Sequence, residues 1–157
     1  MPRIALKNLP DQAAALLAHR PEILKAWIDL DVALMGRGST LPTALKENVR
    51  VALSDSVGCR YCASLGEYNG VKPDVGESLA RAFARQIVDD YKSIDVTNFD
   101  ALREEFTDEQ IVELAAWICF KLAANILGTI TALEPATEDQ RAGYQAWLKE
   151  QVSASHR

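Results

Sequence analysis

The chain has 157 residues, of which 48% are hydrophobic and 25% charged, and its formal net charge is −5. This length and balance fit one globular domain, so we predict a single domain over residues 1–157. The acidic charge and the lack of a basic stripe argue against a nucleic-acid-binding protein, because the phosphate backbone attracts basic surfaces.

The beginning of the chain has no apolar segment of the secretory type. Residues 111–133 form the most apolar stretch, but Glu113, Lys121 and Asn125 interrupt it, so we predict no membrane span. Three cysteines is an odd number and does not suggest a framework of structural disulfides. We therefore expect a cytoplasmic protein.

The first half of the chain predicts helices that begin at capping residues or prolines. Within them apolar residues recur at spacings of three and four, which is typical of the buried face of a helix. The predicted helices cover residues 11–18, 21–35, 42–58 and 59–70, with a flexible turn at 36–39.

The second half predicts three more helices and one polar loop. A fifth helix should begin at Pro73, and residues 91–100 should form the loop. Threonine precedes glutamine by three residues, the spacing of a capping box, at Thr107/Gln110 and at Thr137/Gln140. The first box predicts the start of the longest helix, with a buried stripe of Ile111, Leu114, Ile118, Leu122 and Ile126. The second predicts the start of a last helix, and no segment alternates like a strand, so the predicted fold class is all-α.

Three further features of these helices concern burial. Cys119, beside the stripe of the long helix, is expected to be a buried and inert thiol. The tryptophans are expected in the core or at an interface: Trp27, Trp117 and Trp147. The long helix is apolar around most of its circumference, which predicts a position at the centre of the fold or at a subunit interface.

Residues 59–62, with the sequence CRYC, carry the most informative motif. Two cysteines at this spacing form a redox pair, half of a zinc site, or two buried thiols that act as small hydrophobic residues. Zinc is disfavoured because its usual structural site has four ligands. The remaining cysteine and histidines, Cys119, His19 and His156, do not form a second pair of ligands.

The local context of the motif favours the redox interpretation. Gly58 is predicted to end the third helix, and Cys59 to begin the fourth. A thiol in the first turn of a helix faces unpaired N–H groups and the positive end of the helix dipole, and both favour the reactive thiolate. On this argument Cys59 is the more activated thiol, while Tyr61 supports the site by packing or by a hydrogen bond.

The segment from Lys46 to Cys62 resembles the alkylhydroperoxidase AhpD-like branch of the carboxymuconolactone decarboxylase family. In that family a glutamate and eleven further residues precede a CxxC motif, and Glu47 stands at this distance before Cys59. The helix starts at residues 19–22 and 106–110 are also similar, so the resemblance extends over about residues 20–130. It implies a single-domain AhpD-like helical bundle that forms a homo-oligomer.

The resemblance also implies roles for individual residues. Cys62 attacks a peroxide as the thiolate, Cys59 resolves the product as a disulfide, and Glu47 accepts a proton. The implied partners are a small-molecule peroxide and an external dithiol reductant, with no cofactor and no metal. The family's histidine, four residues after the second cysteine, falls on Gly66. We hypothesise that Asn69 orients a water between the glutamate and the thiol in its place.

These observations leave three functions in competition. The leading one is a thiol-dependent hydroperoxidase or disulfide oxidoreductase. A second is a degenerate member of the family that binds a small molecule or a partner and uses the CxxC pair as a redox-sensitive clasp, which the loss of the histidine favours. A lactone decarboxylase ranks last, because that branch of the family does not depend on a CxxC motif.

Overall fold

The computed structural model describes residues 1–36, 38–66 and 71–155, and the regular secondary structure in these ranges is all helical. The all-α fold class predicted from the sequence is thereby confirmed. A 3₁₀ helix, Tyr91–Ser93, lies between the fifth and sixth of the α-helices. These are α1 (Gln12–Leu17), α2 (Pro21–Met35), α3 (Thr43–Val57), α4 (Arg60–Ser64), α5 (Val75–Asp90), α6 (Val96–Arg103), α7 (Asp108–Ile130) and α8 (Glu138–Ser155).

Several helix ends follow directly from capping residues in the sequence. The Asp11 side chain accepts a hydrogen bond from the Ala14 N–H at 2.7 Å and begins α1. Both threonine–glutamine capping boxes form, at the starts of α7 and α8. Gly58 ends α3 in the left-handed conformation, with φ of 79°, which suits a residue without a side chain. The chain therefore reverses just before Cys59.

The fourth helix is much shorter than predicted. It covers Arg60–Ser64, and Cys59 is its N-cap residue, outside the helix proper. Leu65 caps its C-terminus and is followed by Gly66, a residue of low helix propensity that favours termination here. Residue 37 of the predicted turn and residues 67–70 of the predicted helix lie outside the described residues.

The prediction of a loop at residues 91–100 was wrong, because α6 begins within this segment. Asp95 and Asn98 form a third capping box, in which the Asp95 N–H donates to Asn98 Oδ1 at 2.9 Å. Leu102 then anchors this short helix in the core. The fifth helix also begins slightly later than predicted, at Val75, with Asp74 as its N-cap residue.

The main core lies where α3, α5 and α7 pack together. Trp117 of α7 is fully buried, and its Nε1 donates to the Lys46 carbonyl of α3 at 3.0 Å. The predicted stripe of α7 is deeply buried over its first half, at Ile111, Leu114 and Ile118. It fails at Ile126, which is 46% exposed, because the other helices do not cover that side of α7.

The uncovered side of α7 forms an apolar stripe on the surface. Its exposed members alternate at spacings of four and three residues, and we call them the outer α7 stripe: Val112, Ala116, Cys119, Ala123, Ile126 and Ile130. The expectation that Cys119 is buried was therefore wrong. Adjacent residues on a helix point about 100° apart, so a residue next to the buried Ile118 can face solvent.

One helix of the described structure, α7, is long and apolar enough to cross a membrane when judged by length and composition alone. By this criterion the polar residues that interrupt α7 do not exclude a span through composition alone. Of its most apolar window, 44% is buried inside the bundle. The central helix of a globular bundle meets the same criterion, so α7 by itself is weak evidence for a membrane span.

Candidate functional site

The two cysteines of the CRYC motif meet at the N-terminus of α4. Cys59 Sγ accepts a hydrogen bond from the Cys62 N–H at 3.2 Å, and the two sulfurs are joined in a disulfide with Cα atoms 5.2 Å apart. Cys59 is 1% exposed, whereas Cys62 is half-buried and lies on the wall of a cavity. Helix-terminus electrostatics favour Cys59 as the reactive thiol, but accessibility favours Cys62.

The disulfide lies directly against the backbone of α7 at Gly128. A Cβ atom added to this glycine would come within 2.6 Å of Cys59 Sγ and 3.5 Å of Cys62 Sγ. Glycine inside a helix costs about 1 kcal/mol relative to alanine, so its presence here reflects the close approach of the sulfurs. Gly128 was not predicted as a site residue. Its only signal in the sequence is that a glycine stands near the end of a helix of otherwise strong helix formers.

The reversal at Gly58 brings Glu47 of α3 next to Gly66, although the two are distant along the chain. A Cβ atom added to Gly66 would lie 2.9 Å from Glu47 Oε1 and 3.2 Å from Arg50 Nη2. The position that corresponds to the family's histidine therefore adjoins the glutamate. The space that a side chain would need at residue 66 is bordered here by the Glu47 carboxylate and the Arg50 guanidinium.

Arg50, which sequence analysis did not single out, connects Glu47 to the CRYC motif. Its Nη2 and Nε donate to the two Glu47 carboxylate oxygens at 2.7 and 2.9 Å, and its Nη1 donates to the Cys62 carbonyl at 2.6 Å. Burial opposes its charge, but neighbouring Tyr144 and Glu47 outweigh burial and raise the pKa of Arg50 above its usual value. The guanidinium therefore stays charged, and a nearby cation favours a thiolate.

Tyr144 of α8 completes this cluster from the far end of the sequence. Its hydroxyl donates to Glu47 Oε2 at 2.7 Å, and the Arg50 guanidinium carbon lies 5.2 Å from the centre of its ring. Burial raises the pKa of Tyr144 well above its usual value, so the phenol stays neutral. A neutral hydroxyl can pass a proton on when its O–H turns away from Glu47 and its oxygen accepts the proton that Glu47 carries. Nothing in the sequence near the motif points to this tyrosine.

A cavity of about 430 Å³ opens beside Cys62. This volume is within the range of small-molecule sites, roughly 300–1,000 Å³. Trp117 is in the core as predicted, but Trp27 and Trp147 are only partly buried and border this cavity. Apolar side chains from five helices form most of the wall, among them Leu16, Leu24, Trp27, Leu65, Leu127 and Trp147.

One wall of the cavity is polar and comes from α2 and α7. Lys121 Nζ pairs with Asp31 Oδ1 at 2.8 Å and lies 4.4 Å from the centre of the Trp117 ring. Burial lowers the pKa of Lys121, while the charge and hydrogen bond of Asp31 act in the opposite direction. Asn125 follows one turn later, and its Nδ2 donates to the Lys121 carbonyl at 2.7 Å. Each buried cation on the wall therefore has a carboxylate partner.

The remaining residues proposed from the sequence have structural contacts or lie outside the described residues. Tyr61 is buried, its hydroxyl donates to the Asp11 carboxylate and accepts from the Gln12 N–H at 3.3 Å, and burial raises its pKa. It thus fixes α4 to α1. His19 Nε2 lies 2.7 Å from the Ala5 carbonyl oxygen at the surface. Asn69 lies outside the described residues, so the hypothesis of a water held by it stays a prediction.

His156 likewise lies outside the described ranges. In the part of the chain that the structure describes, no group of three or more histidine, cysteine, aspartate or glutamate side chains could hold a metal ion.

Comparison with solved structures identifies the architecture. A protein from Ralstonia eutropha JMP134, described as an alkylhydroperoxidase AhpD core and an uncharacterized peroxidase-related protein, superposes with a TM-score of 0.69 at 23% identity, over 81% of this chain and 77% of that one. The chain has the AhpD-like fold. An uncharacterized peroxidase-related protein from Silicibacter sp. TM1040 agrees, with a TM-score of 0.73 at 21% identity over 85% of this chain and 80% of that one.

A third solved structure with a similar fold contains an organic molecule. The debrominase Bmp8, in complex with 2,3,4-tribromopyrrole, superposes with a TM-score of 0.66 at 17% identity over 88% of this chain and 82% of its own. No protein-family model matches the sequence, and no curated protein matches it either. At these identities the similarity establishes the fold, and the function has to be argued from the site.

Proposed function

We propose that this protein is a thiol-dependent peroxidase that reduces a hydroperoxide at Cys62 and stores the oxidation as the Cys59–Cys62 disulfide. The observation that carries the proposal is the asymmetry of the pair, in which Cys62 borders the cavity and Cys59 is buried behind it. The peroxidase-related descriptions of two neighbours with this fold agree with it.

The first step is nucleophilic attack by the Cys62 thiolate on the terminal oxygen of the hydroperoxide. An S–O bond forms, the O–O bond breaks, and Cys62 becomes a sulfenic acid while an alkoxide leaves. Glu47 accepts the proton of the Cys62 thiol beforehand. That proton then returns through the Tyr144 hydroxyl to the alkoxide, which leaves as an alcohol. Arg50, hydrogen-bonded to the Cys62 carbonyl, stabilises the thiolate by its charge.

The second step closes the disulfide. The Cys59 thiol attacks the Cys62 sulfur, its proton and the hydroxyl group leave as water, and the S–S bond forms. An external dithiol then reduces this bond by thiol–disulfide exchange and is itself oxidised to a disulfide. We infer a cytoplasmic location on this ground, because that compartment maintains dithiol reductants.

The decisive test measures disulfide formation in the reduced protein. On mixing with cumene hydroperoxide, wild type should lose the mass of two hydrogen atoms, at a rate that saturates with peroxide concentration. Cys59→Ser should form a stable sulfenic acid, and Cys62→Ser should not react. Cys119→Ser is the matched control, because it removes an exposed thiol outside the site and should leave the rate unchanged. Glu47→Gln should slow the reaction by about a hundredfold, the lower end of the usual contribution of a general base.

An equal rate in wild type and Cys62→Ser would refute the peroxidase.

The second candidate function is a degenerate AhpD-like protein whose CxxC pair is a redox-sensitive clasp beside a binding cavity. The specific observation in its favour is Gly66, since the charge pair of Glu47 and Arg50 borders the place of the family's histidine. This function predicts slow, non-saturable oxidation together with ligand affinity that depends on the disulfide.

We also propose that the protein forms a homo-oligomer through the outer α7 stripe. Its six exposed apolar residues repeat with the four–three spacing of a helix–helix seam, and alanine and cysteine at its middle allow close approach. Light scattering after size exclusion should show an oligomer at micromolar concentration, and Ala116→Glu should yield a monomer. Val96→Glu, an exposed apolar position on α6, is the control that should leave the assembly intact.

A further inference from the structure

The buried side chain of Asn125 has one polar atom that the fold leaves without a partner. Asn125 is 1% exposed, and its Oδ1 forms no hydrogen bond within the residues that the structure describes. A buried acceptor without a partner is unfavourable, so such groups are rare unless a ligand or water completes them.

The orientation of this amide follows from its neighbour. Asn125 Nδ2 donates to the Lys121 carbonyl at 2.7 Å. If the amide were rotated so that the oxygen took this place, two acceptors would face each other. The nitrogen therefore belongs at the Lys121 carbonyl, and the group left without a partner is an acceptor.

Asn125 belongs to the wall of the cavity beside Cys62. It precedes Gly128, the contact point of the disulfide, by three residues on the same helix, which puts the two on one face about 5 Å apart. A molecule that hydrogen-bonds to Oδ1 would thus lie within one helical turn of the reactive pair.

The buried charges of the wall balance one another, while two further lining carboxylates, Asp11 and Asp139, are exposed. This balance favours a neutral ligand. The two buried cations of the cavity, Lys121 and Arg50, are each paired with a carboxylate, Asp31 and Glu47. No buried positive charge is left in excess among the described lining residues to attract an anion, and a carboxylate ligand would meet a second acceptor at Asn125. The rest of the wall is mostly apolar.

We propose that the cavity binds a neutral, mainly apolar molecule that carries an O–H or N–H donor, and that Asn125 Oδ1 accepts the hydrogen bond from this donor and determines specificity. This inference deepens the proposed peroxidase function and rests on it for the role of the ligand, since a hydroperoxide group has an O–H donor. The binding itself requires no reaction.

The test uses the oxidised protein, in which the disulfide prevents turnover. Two probes of nearly the same shape, cumyl alcohol and cumyl methyl ether, differ in the O–H donor. Isothermal titration calorimetry should show that wild type binds the alcohol about tenfold more tightly than the ether, the effect of one net hydrogen bond. Asn125→Leu, of similar volume but without the acceptor, should bind both probes within about twofold of each other.

Asn48→Leu is the matched control, because Asn48 is also a buried asparagine but donates to Glu77 outside the cavity. It should retain the tenfold preference for the alcohol. Equal affinity of wild type for the two probes, or no saturable binding of either, would overturn the inference without any variant. Because no thiol reacts in this experiment, its outcome is independent of whether the reduced protein turns over peroxide.

Discussion

Two consecutive residues of α3, Lys46 and Glu47, form buried ion pairs in different surroundings. Lys46 is fully buried and pairs with Glu113, and it also donates to the Leu34 carbonyl and to Ser39 Oγ. Glu47 pairs with Arg50 and accepts from Tyr144, next to the CRYC motif and its cavity.

The difference between the two pairs lies in their neighbours. The polar partners of Lys46 hold parts of the fold together, and we therefore call this cluster the frame. Trp117 of the core also donates to the Lys46 carbonyl. In the Glu47 cluster Arg50 also donates to the carbonyl of Cys62, a residue that lies on the wall of the cavity. A buried ion pair by itself is weak evidence for function. The Glu47 cluster is a candidate functional site because a cavity and a reactive cysteine lie beside it, and the Lys46 cluster has neither among the described residues.

The largest expected effect concerns the frame. Glu113→Gln would leave the fully buried Lys46 ammonium without its carboxylate, so we expect a loss of about 3 kcal/mol in the free energy of unfolding. Urea denaturation measures this loss. Glu109→Gln, an exposed position on the same helix, should change it by less than about 0.5 kcal/mol.

The reactivity of Cys62 tests whether the same substitution affects the Glu47 cluster. In folded Glu113→Gln its alkylation rate should equal that of wild type, because Glu113 belongs to the frame. A tenfold change in that rate would show that the two clusters are not separate.

The second effect is a dependence of stability on pH from the same cluster. Burial would raise the pKa of Glu113, but hydrogen bonds from Lys46, Thr40 and Ser39 outweigh it and lower the pKa to about 2. The folded state therefore binds this proton less readily than the unfolded state, whose glutamate has a pKa of about 4.3.

It follows that the stabilisation is fully present above about pH 5 and is lost as the pH falls toward 2, by about 3 kcal/mol in total. Unfolding curves of wild type and Glu113→Gln should converge over this interval. Glu109→Gln should keep the wild-type slope, and a constant difference between wild type and Glu113→Gln would contradict the assignment.

The third effect tests the packing at the site. Gly128→Ala would put a methyl group against the two sulfurs, so we expect a loss of about 2 kcal/mol in the oxidised protein. Gly143→Ala, also inside a helix but with nothing within 4 Å of the added atom, should instead stabilise by up to about 1 kcal/mol. Thermal unfolding measures both, and a gain in stability in both variants would show that the sulfurs do not restrict residue 128.

The smallest expected effect concerns an imidazole introduced at residue 66, the position of the family's histidine. In Gly66→His the new side chain would meet the ends of Glu47, Arg50 and Gln145, so the Glu47–Arg50 pair would have to shift to admit it. We expect the Cys62 alkylation rate to rise several-fold, with a new inflection near pH 6.5 from the histidine. Gly66→Gln, polar but without a titrating group, is the control. The same gain in both variants would attribute the effect to packing.

The sequence predicted the parts of this protein that depend on local signals. Caps and turns such as Asp11, Gly58 and Thr107 act within a few residues of themselves, so the helix ends they specify formed as expected. The Asp95/Asn98 box was the same kind of signal, and it was missed because the segment around it is polar.

What the sequence alone determined was therefore the all-α class, most helix boundaries, and the pairing of Glu47 with a CxxC motif at a recognisable distance. Only the tertiary structure decided which sulfur faces the cavity, that Arg50 and Tyr144 surround Glu47, and that Cys119 is exposed. Caps are local, whereas a cavity and its wall arise from six helices that meet in space. Contacts between residues 97 positions apart, as between Glu47 and Tyr144, have no local signal in the sequence.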